Sequence, residues 1–340
     1  MAGIAFADED ILAYNSSSDS WWLLFDGSDV GLGGLNPDGN DINLDAFAML
    51  PNGQLLMSFN VPIISPAVIS EELLIDDSDI LRFIPASLGS DTAGTFAVYF
   101  DGSDVGLTTN GEDVNAITLA ENGALVVSTV GNFNVPGISG SDEDLIALKY
   151  ESLGGNTSGE WHLFFDGSRL DLDDTADEAV WGSWYDTATK TLYLTTRGDY
   201  SIPNSSGTGA DVFSCSPLIL FSLDMCPVNP GLFWDGSAHG FGAEKVDGLA
   251  IDLSPTSPTI GFKADPISGD VPLSVYFEGG SFGYVTEWLW DFGDGFTGSG
   301  KIVTHTYNTP GVYTVTLTGN GPTGSGTLVR NDFIVVGKIK

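Results

Sequence analysis

The tetrapeptide Phe-Asp-Gly-Ser begins at Phe25, Phe100 and Phe165, and returns as Trp234-Asp235-Gly236-Ser237. Two further phrases keep a fixed order around it. One reads Asp10-Ile11-Leu12, Asp79-Ile80-Leu81, Asp144-Leu145-Ile146 and Asp211-Val212-Phe213; the other reads Leu44-Asp45-Ala46, Val114-Asn115-Ala116, Val180-Trp181-Gly182 and Val246-Asp247-Gly248. Three phrases in one cyclic order, four times over, define four copies of a unit of roughly seventy residues.

Within one copy, short apolar runs separated by Gly, Asn and Ser predict four strands, at Asn115–Leu119, Ala124–Thr129, Leu145–Tyr150 and Trp161–Asp166. A lone four-stranded meander cannot cover both its faces, so four of them predict a four-bladed β-propeller over residues 1–254. The period exceeds that of a compact blade, and the extra length falls in loops. The chain opens in mid-unit: Gly3–Phe6, Asp10–Tyr14 and Trp21–Asp26 are expected as second, third and fourth strands, and Val246–Leu253 as the missing first strand. Joining the two ends closes the ring and removes the open sheet edges. The alternative is an open or domain-swapped array in which a neighbouring chain supplies the strand.

Charge separates this region from the rest. Of 46 Asp and Glu against 11 Lys and Arg, only seven acids and five bases follow Pro255. A formal charge of −35 argues against nucleic acid, which is held by clustered Lys and Arg. With 42% hydrophobic and 17% charged residues the chain has the composition of a folded protein rather than an acidic tail. No run approaches the about 20 apolar residues of a membrane helix. Ala2–Phe6 is too short and lacks the basic flank of a signal peptide, so the sequence reads as a mature exported chain without membrane insertion.

Residues 255–259 read as a short Ser-Pro-Thr linker, and 260–340 as alternating strands of a second domain. In that domain Trp290-Asp291-Phe292-Gly293-Asp294-Gly295, then His305-Thr306-Tyr307 and Pro310-Gly311-Val312-Tyr313-Thr314-Val315, closely resemble the PKD domain. The resemblance implies an immunoglobulin-like β-sandwich that serves as a spacer or interaction module of extracellular proteins, without catalysis of its own. The fold class expected for the chain is therefore all-β, a four-bladed propeller followed by a PKD-like sandwich. The Phe-Asp-Gly-Ser-Asp-Val-Gly-Leu segments are similar to repeats of large exported bacterial and archaeal surface proteins.

If strands alternate in direction within each copy, the loop before the third strand and the loop after the fourth emerge on one face. The first carries Asp8, Asp10, Asp79, Asp142 and Asp144; the second carries Asp26, Asp29, Asp101, Asp104 and Asp166. Such an anionic face suits calcium, which takes carboxylate and carbonyl oxygens from loops. The competing reading is that each Asp-Gly caps a turn and the other acids are solvated.

Catalysis has little support. The three histidines, His162, His239 and His305, lie in no nucleophile or metal frame. Trp181, Trp184 and Tyr185 could stack on sugar rings, or could fill the space between blades. Cys215 and Cys226 predict a hairpin-bridging disulfide, with two buried thiols as the alternative. The expected function is a non-catalytic extracellular surface or matrix protein for adhesion, scaffolding or filament assembly, with calcium-stabilised acidic loops. Its partners would be other extracellular proteins or copies of itself. A polysaccharide-binding module is the alternative.

Overall fold

The computed structural model describes residues 4–337 apart from 17–18, 37–38, 65–73, 174, 217–227, 242–243, 252–257, 283–284 and 322–323. Described residues form β-strands and short 3-10 turns. Three consecutive repeats each build a four-stranded antiparallel meander. The first comprises β3 (Leu44–Met49), β4 (Leu55–Phe59), β5 (Ile80–Ser87) and β6 (Ala93–Phe100). The second comprises β7 (Val114–Leu119), β8 (Leu125–Thr129), β9 (Leu145–Ser152) and β10 (Ser158–Phe165). The third comprises β11 (Val180–Asp186), β12 (Thr191–Thr196), β13 (Val212–Ser216) and β14 (Val228–Trp234). At the N-terminus β1 (Ile11–Asn15) pairs, among the described residues, only with β2 (Ser20–Phe25).

The expected strands at Gly3–Phe6 and Val246–Leu253 do not form: described residues 4–7 and 244–251 carry no strand. A strand needs a paired neighbour, and among the described residues neither segment has one. The Val246 amide donates to Gly209 O at 2.9 Å and its carbonyl accepts from Thr195 Oγ1 at 2.6 Å, which tethers the segment to the third repeat. A Cβ on Gly248 would run into the Phe47 ring of β3, and one on Gly182 would touch Gly248 and Leu249, so this segment lies between β11 and β3 rather than paired with β1.

The repeats agree in detail. The first strand of each starts with an amide bonded to a carbonyl of the preceding acidic loop: Leu44 to Asp8 at 3.0 Å, Val114 to Asp77 at 3.2 Å and Val180 to Asp142 at 3.0 Å; the segment at Val246, which forms no strand, makes the equivalent bond to Gly209. β3, β7 and β11 lie side by side. The phrase phenylalanines Phe25, Phe100 and Phe165 are fully buried, and clusters around Phe83, Leu148 and Phe213 give each sheet an apolar face. The two ends of the repeat region also meet, through Tyr14 and Trp21 against Trp234, His239 and Phe241.

The C-terminal residues form a β-sandwich. One sheet is β15 (Thr259–Asp265), β17 (Leu273–Phe282) and β20 (Ile302–Tyr307). The other contains β16 (Ser268–Asp270), β18 (Glu287–Asp291), β19 (Thr297–Ser299), β21 (Gly311–Gly321) and β22 (Gly324–Gly337). Between them lie Phe277, Trp290, Tyr307, Val315 and Leu317. The linker expected at 255–259 falls mostly outside the described residues.

Candidate functional site

The acidic loops recur as one hydrogen-bonded device. Asp10, Asp79, Asp144 and Asp211 each use both carboxylate oxygens on backbone amides. Their Oδ1 atoms accept from the glycine of the next Asp-Gly-Ser: Gly27 at 2.9 Å, Gly102 at 2.9 Å, Gly167 at 3.0 Å and Gly236 at 3.0 Å. Their Oδ2 atoms accept from the amide three residues earlier: Ala7 at 2.8 Å, Asp76 at 2.9 Å, Ser141 at 3.1 Å and Thr208 at 2.8 Å. The loop before the third strand is thereby pinned to the loop after the fourth, which places the two acid sets at one edge. The glycine is required because a Cβ on Gly27, Gly102, Gly167 or Gly236 would collide with the carbonyl of Glu9, Ser78, Glu143 or Ala210.

The first aspartate of each phrase is also engaged. Asp26, Asp101 and Asp166 accept from their own loop serines Ser28, Ser103 and Ser168 at 2.7, 2.7 and 2.6 Å. Asp29 and Asp104 reach into the next repeat. Asp29 Oδ2 accepts from the Thr92 amide at 2.8 Å while Thr92 Oγ1 accepts from the Asp26 amide at 3.0 Å. Asp104 and Thr157 repeat this at 2.8 and 2.9 Å. After the second four-stranded repeat Arg169 stands where the two preceding phrases have Asp29 and Asp104, and its guanidinium pairs with Asp166 at 2.8 Å; the last phrase has Ala238 there. Asp8 and Asp142 contribute the carbonyls that start β3 and β11.

The carboxylates of these loops are therefore engaged by turn and inter-repeat hydrogen bonds. Among the described residues no three His, Cys, Asp or Glu side chains are placed to hold a metal ion. The residues that sequence reasoning missed are Thr92 and Thr157. Their signal was present as Asp91-Thr92-Ala93-Gly94 and Asn156-Thr157-Ser158-Gly159, a Thr-x-Gly pair at matching places.

Burial and mutual repulsion keep several of these acids protonated to higher pH than usual. Asp79 is pushed up to about 6, first by burial and then, against the hydrogen bonds from Asp76 and Gly102, by Asp101 and Asp76. Burial also takes Glu143 to about 7 and Asp77 to about 6. Near the strand starts Asp45 rises to about 7 through burial, Asp247 and Asp77, and Asp113 to about 9 through burial, Asp45 and Asp77. Glu112 moves the other way. Burial would raise it, but hydrogen bonds from the Asn134, Thr108 and Thr109 amides outweigh that.

Trp181, Trp184 and Tyr185 all line one cavity of about 2230 Å³ together with Tyr14, Trp21, Trp234 and Asp247. Tyr185 is only 6% exposed and packs edge-on against Phe164, centroids 5.3 Å apart, so it belongs to the packing between sheets. Trp181 lies under Arg197 and Lys245, at 5.6 and 5.1 Å. Cys215 is buried and disulfide-bonded; Cys226 lies outside the described residues. His162 is exposed on β10, and His239 sits against Tyr14 and Asp19.

In the sandwich, Asp291 and Asp294 accept from the Gly293 and Phe296 amides at 2.9 and 3.2 Å, and Asp294 meets His305 at 2.8 Å. Tyr307 donates to the Phe292 carbonyl at 3.0 Å. These are the bonds that shape the Trp290–Gly295 turn.

Comparison with known proteins assigns this second unit. The PKD domain family matches residues 254–336, and the C-terminal sandwich is a PKD domain. Similar solved structures include the PKD1 domain of the Vibrio cholerae metalloprotease PrtV, at 32% identity, covering 24% of this chain and 98% of that one with a TM-score of 0.21. A carbohydrate-binding module of the β-sandwich superfamily is 26% identical over 25% of this chain and 36% of that one, with a TM-score of 0.23. The extracellular domain of a putative hybrid two-component system from B. thetaiotaomicron covers 96% of this chain and 50% of that one at 10% identity, with a TM-score of 0.28. No curated protein matches the chain.

Proposed function

We propose that this chain is a non-catalytic module of an extracellular surface or matrix protein, in which a four-bladed propeller with one acidic face is joined to the PKD sandwich. The observation that carries it is the fourfold recurrence of the aspartate pin, from Asp10 to Asp211. Polar groups repeated identically in every unit serve the unit, and among the described residues no acid pair or histidine of the repeats is singled out as a reaction centre would be. The meeting of Tyr14 and Trp21 with Trp234 and His239 supports ring closure. PKD domains occur in extracellular proteins, and among the described residues no helix is long and apolar enough to cross a membrane.

Its work on this reading is adhesion, scaffolding or assembly with other extracellular proteins or copies of itself, with calcium screening the acidic face. The full chain tests it by thermal melting and sedimentation in calcium and then in chelator. A ligand that binds only the folded state raises the melting temperature by mass action. Unchanged melting and unchanged mass across millimolar calcium would remove the cation from the proposal. A second reading, polysaccharide binding, is favoured by the half-buried Trp181 and Trp184 at the cavity. Selective binding on a glycan array in chelator would favour it over scaffolding.

A further inference from the structure

β3, β7 and β11 carry the same bulge. Leu44 and Ala46 face Phe59 and Ser58, Val114 and Ala116 face Thr129 and Ser128, and Val180 and Gly182 face Thr196 and Thr195. The extra residues are Asp45, Asn115 and Trp181. A bulge re-aims the side chain of its extra residue and is commonly found beside binding sites. In all three that side chain has a buried polar atom without a hydrogen-bond partner: Asp45 Oδ2, Asn115 Oδ1 and Trp181 Nε1. Asp113 Oδ1, two residues before Asn115, is a fourth. Such atoms are expensive to leave unpaired, and their recurrence at one place in the repeat calls for a ligand.

Three of the four are acceptor oxygens on the adjoining starts of β3 and β7. Asn115 is 2% exposed and Asp113 8%. The Asn115 amide orientation is fixed, because its Nδ2 donates to the Val180 carbonyl at 3.1 Å and leaves Oδ1 as the unpaired atom. Asp45 takes the place of Asn115 in the preceding repeat, yet a carboxylate cannot donate as that amide does. The corresponding carbonyl, that of Val114, takes its hydrogen from Ser58 Oγ at 2.6 Å. The ion pairs among the described residues include neither Asp45 nor Asp113. Oxygen acceptors with no donor supplied match the coordination preference of a hard cation, whose binding would release the protons that burial holds on Asp45 and Asp113.

We infer that the starts of β3 and β7 form a calcium site built from Asp45 Oδ2, Asp113 Oδ1 and Asn115 Oδ1. The site is distinct from the Asp-Gly-Ser loops, whose carboxylates are engaged by backbone amides, and it does not depend on closure of the ring. Two carboxylates and one amide explain why no trio of acidic or histidine ligands marks it.

Terbium is a direct probe, because it takes calcium sites and is excited through a nearby tryptophan. Trp181 follows Val180, whose carbonyl anchors Asn115, and so stands beside the site. The full chain is expected to give sensitised emission that excess calcium displaces. Asp45→Asn and Asp113→Asn should each weaken terbium binding by about tenfold or more, a step of about 1.4 kcal/mol. Both keep the side chain's size and shape and should keep their near-ultraviolet circular dichroism in chelator, so lost emission would not report unfolding. Trp181→Phe should dim the emission while calorimetry still registers calcium, and the exposed Glu160→Gln should change neither. Undiminished binding in Asp45→Asn and Asp113→Asn, or emission that survives Trp181→Phe, overturns the site. Loss on Asp26→Asn or Asp101→Asn instead overturns it in favour of the loops.

Discussion

Thr157 offers a clean perturbation of the bond network between repeats. It is 4% exposed, its Oγ1 accepts from the Asp101 amide at 2.9 Å, and the same hydroxyl donates to the Gly154 carbonyl at 2.8 Å. Thr157→Val keeps shape and β-branching while deleting both bonds. The part-buried Asp101 amide then loses its acceptor, which costs about 1–3 kcal/mol, and the carbonyl loses a bond worth about 0.5–1.5 kcal/mol net. The expected destabilisation is about 2–4 kcal/mol. At about 2–4 °C per kcal/mol for a domain of this size, the first calorimetric transition should fall by about 4–16 °C. Hydrogen exchange supplies a local readout: the Asp101 amide should lose protection before the amides of β9. The Asp104 carboxylate still receives the Thr157 amide, so the hairpin remains attached on one side. A loss below about 0.5 kcal/mol with unchanged exchange at Asp101 would refute the claim that these loops clamp neighbouring repeats together.

Acid titration should show a distinctive sign. Asp77, Asp79 and Glu143 have folded-state values of about 6, about 6 and about 7, above the usual carboxylate range, so the folded state holds protons that the unfolded chain releases. Their contribution is fully present below the unfolded values near 4 and is lost as pH rises through 6 to 7, so the urea midpoint should be higher at pH 5 than at pH 8. A midpoint that climbs from pH 5 to 8 would contradict this. Trp234→Ala should lower the first transition and open the β1–β2 hairpin to protease, leaving the sandwich transition unmoved, since Trp234 stacks on His239 at 5.6 Å and meets Trp21 edge-on at 6.0 Å. Peptide mapping without reductant should join Cys215 to Cys226, the chain's other cysteine.

The strands of a full repeat were readable because their apolar runs end at Gly, Asn and Asp. Expected Leu145–Tyr150 is observed as Leu145–Ser152, and expected Asn115–Leu119 as Val114–Leu119. The failures have a common cause. Gly3–Phe6 and Val246–Leu253 carry the right residues, but a strand also needs a paired neighbour, and pairing between distant chain ends is invisible to local pattern. The acids show the same limit from the other side. Asp79 and Asp101 stand in loops that the bond from Gly102 to Asp79 joins, and whether their oxygens face a cation or an amide depends on where Gly102 places its N–H, which composition and spacing do not specify. The bulge residues were written in the repeat as Asp45, Asn115 and Trp181, a column that changes chemistry while its neighbours stay apolar.

That column bears on where function resides in a repeat protein. Positions that keep one residue type through all copies, such as Asp10, Asp79, Asp144 and Asp211, are explained by what each unit needs in order to fold, and changing any one should act mainly on stability. Positions with the same backbone geometry but different side chains are under no such common demand. At the bulge the structure presents a carboxylate, an amide and an indole from one geometric place, each with a polar atom that the fold does not use. Stability explains sameness at the pins; it does not explain unsatisfied difference at the bulges. Substitutions there should therefore separate the two properties, altering ligand binding in Asp45→Asn while the melting temperature in chelator holds or rises, the reverse of what Thr157→Val should do.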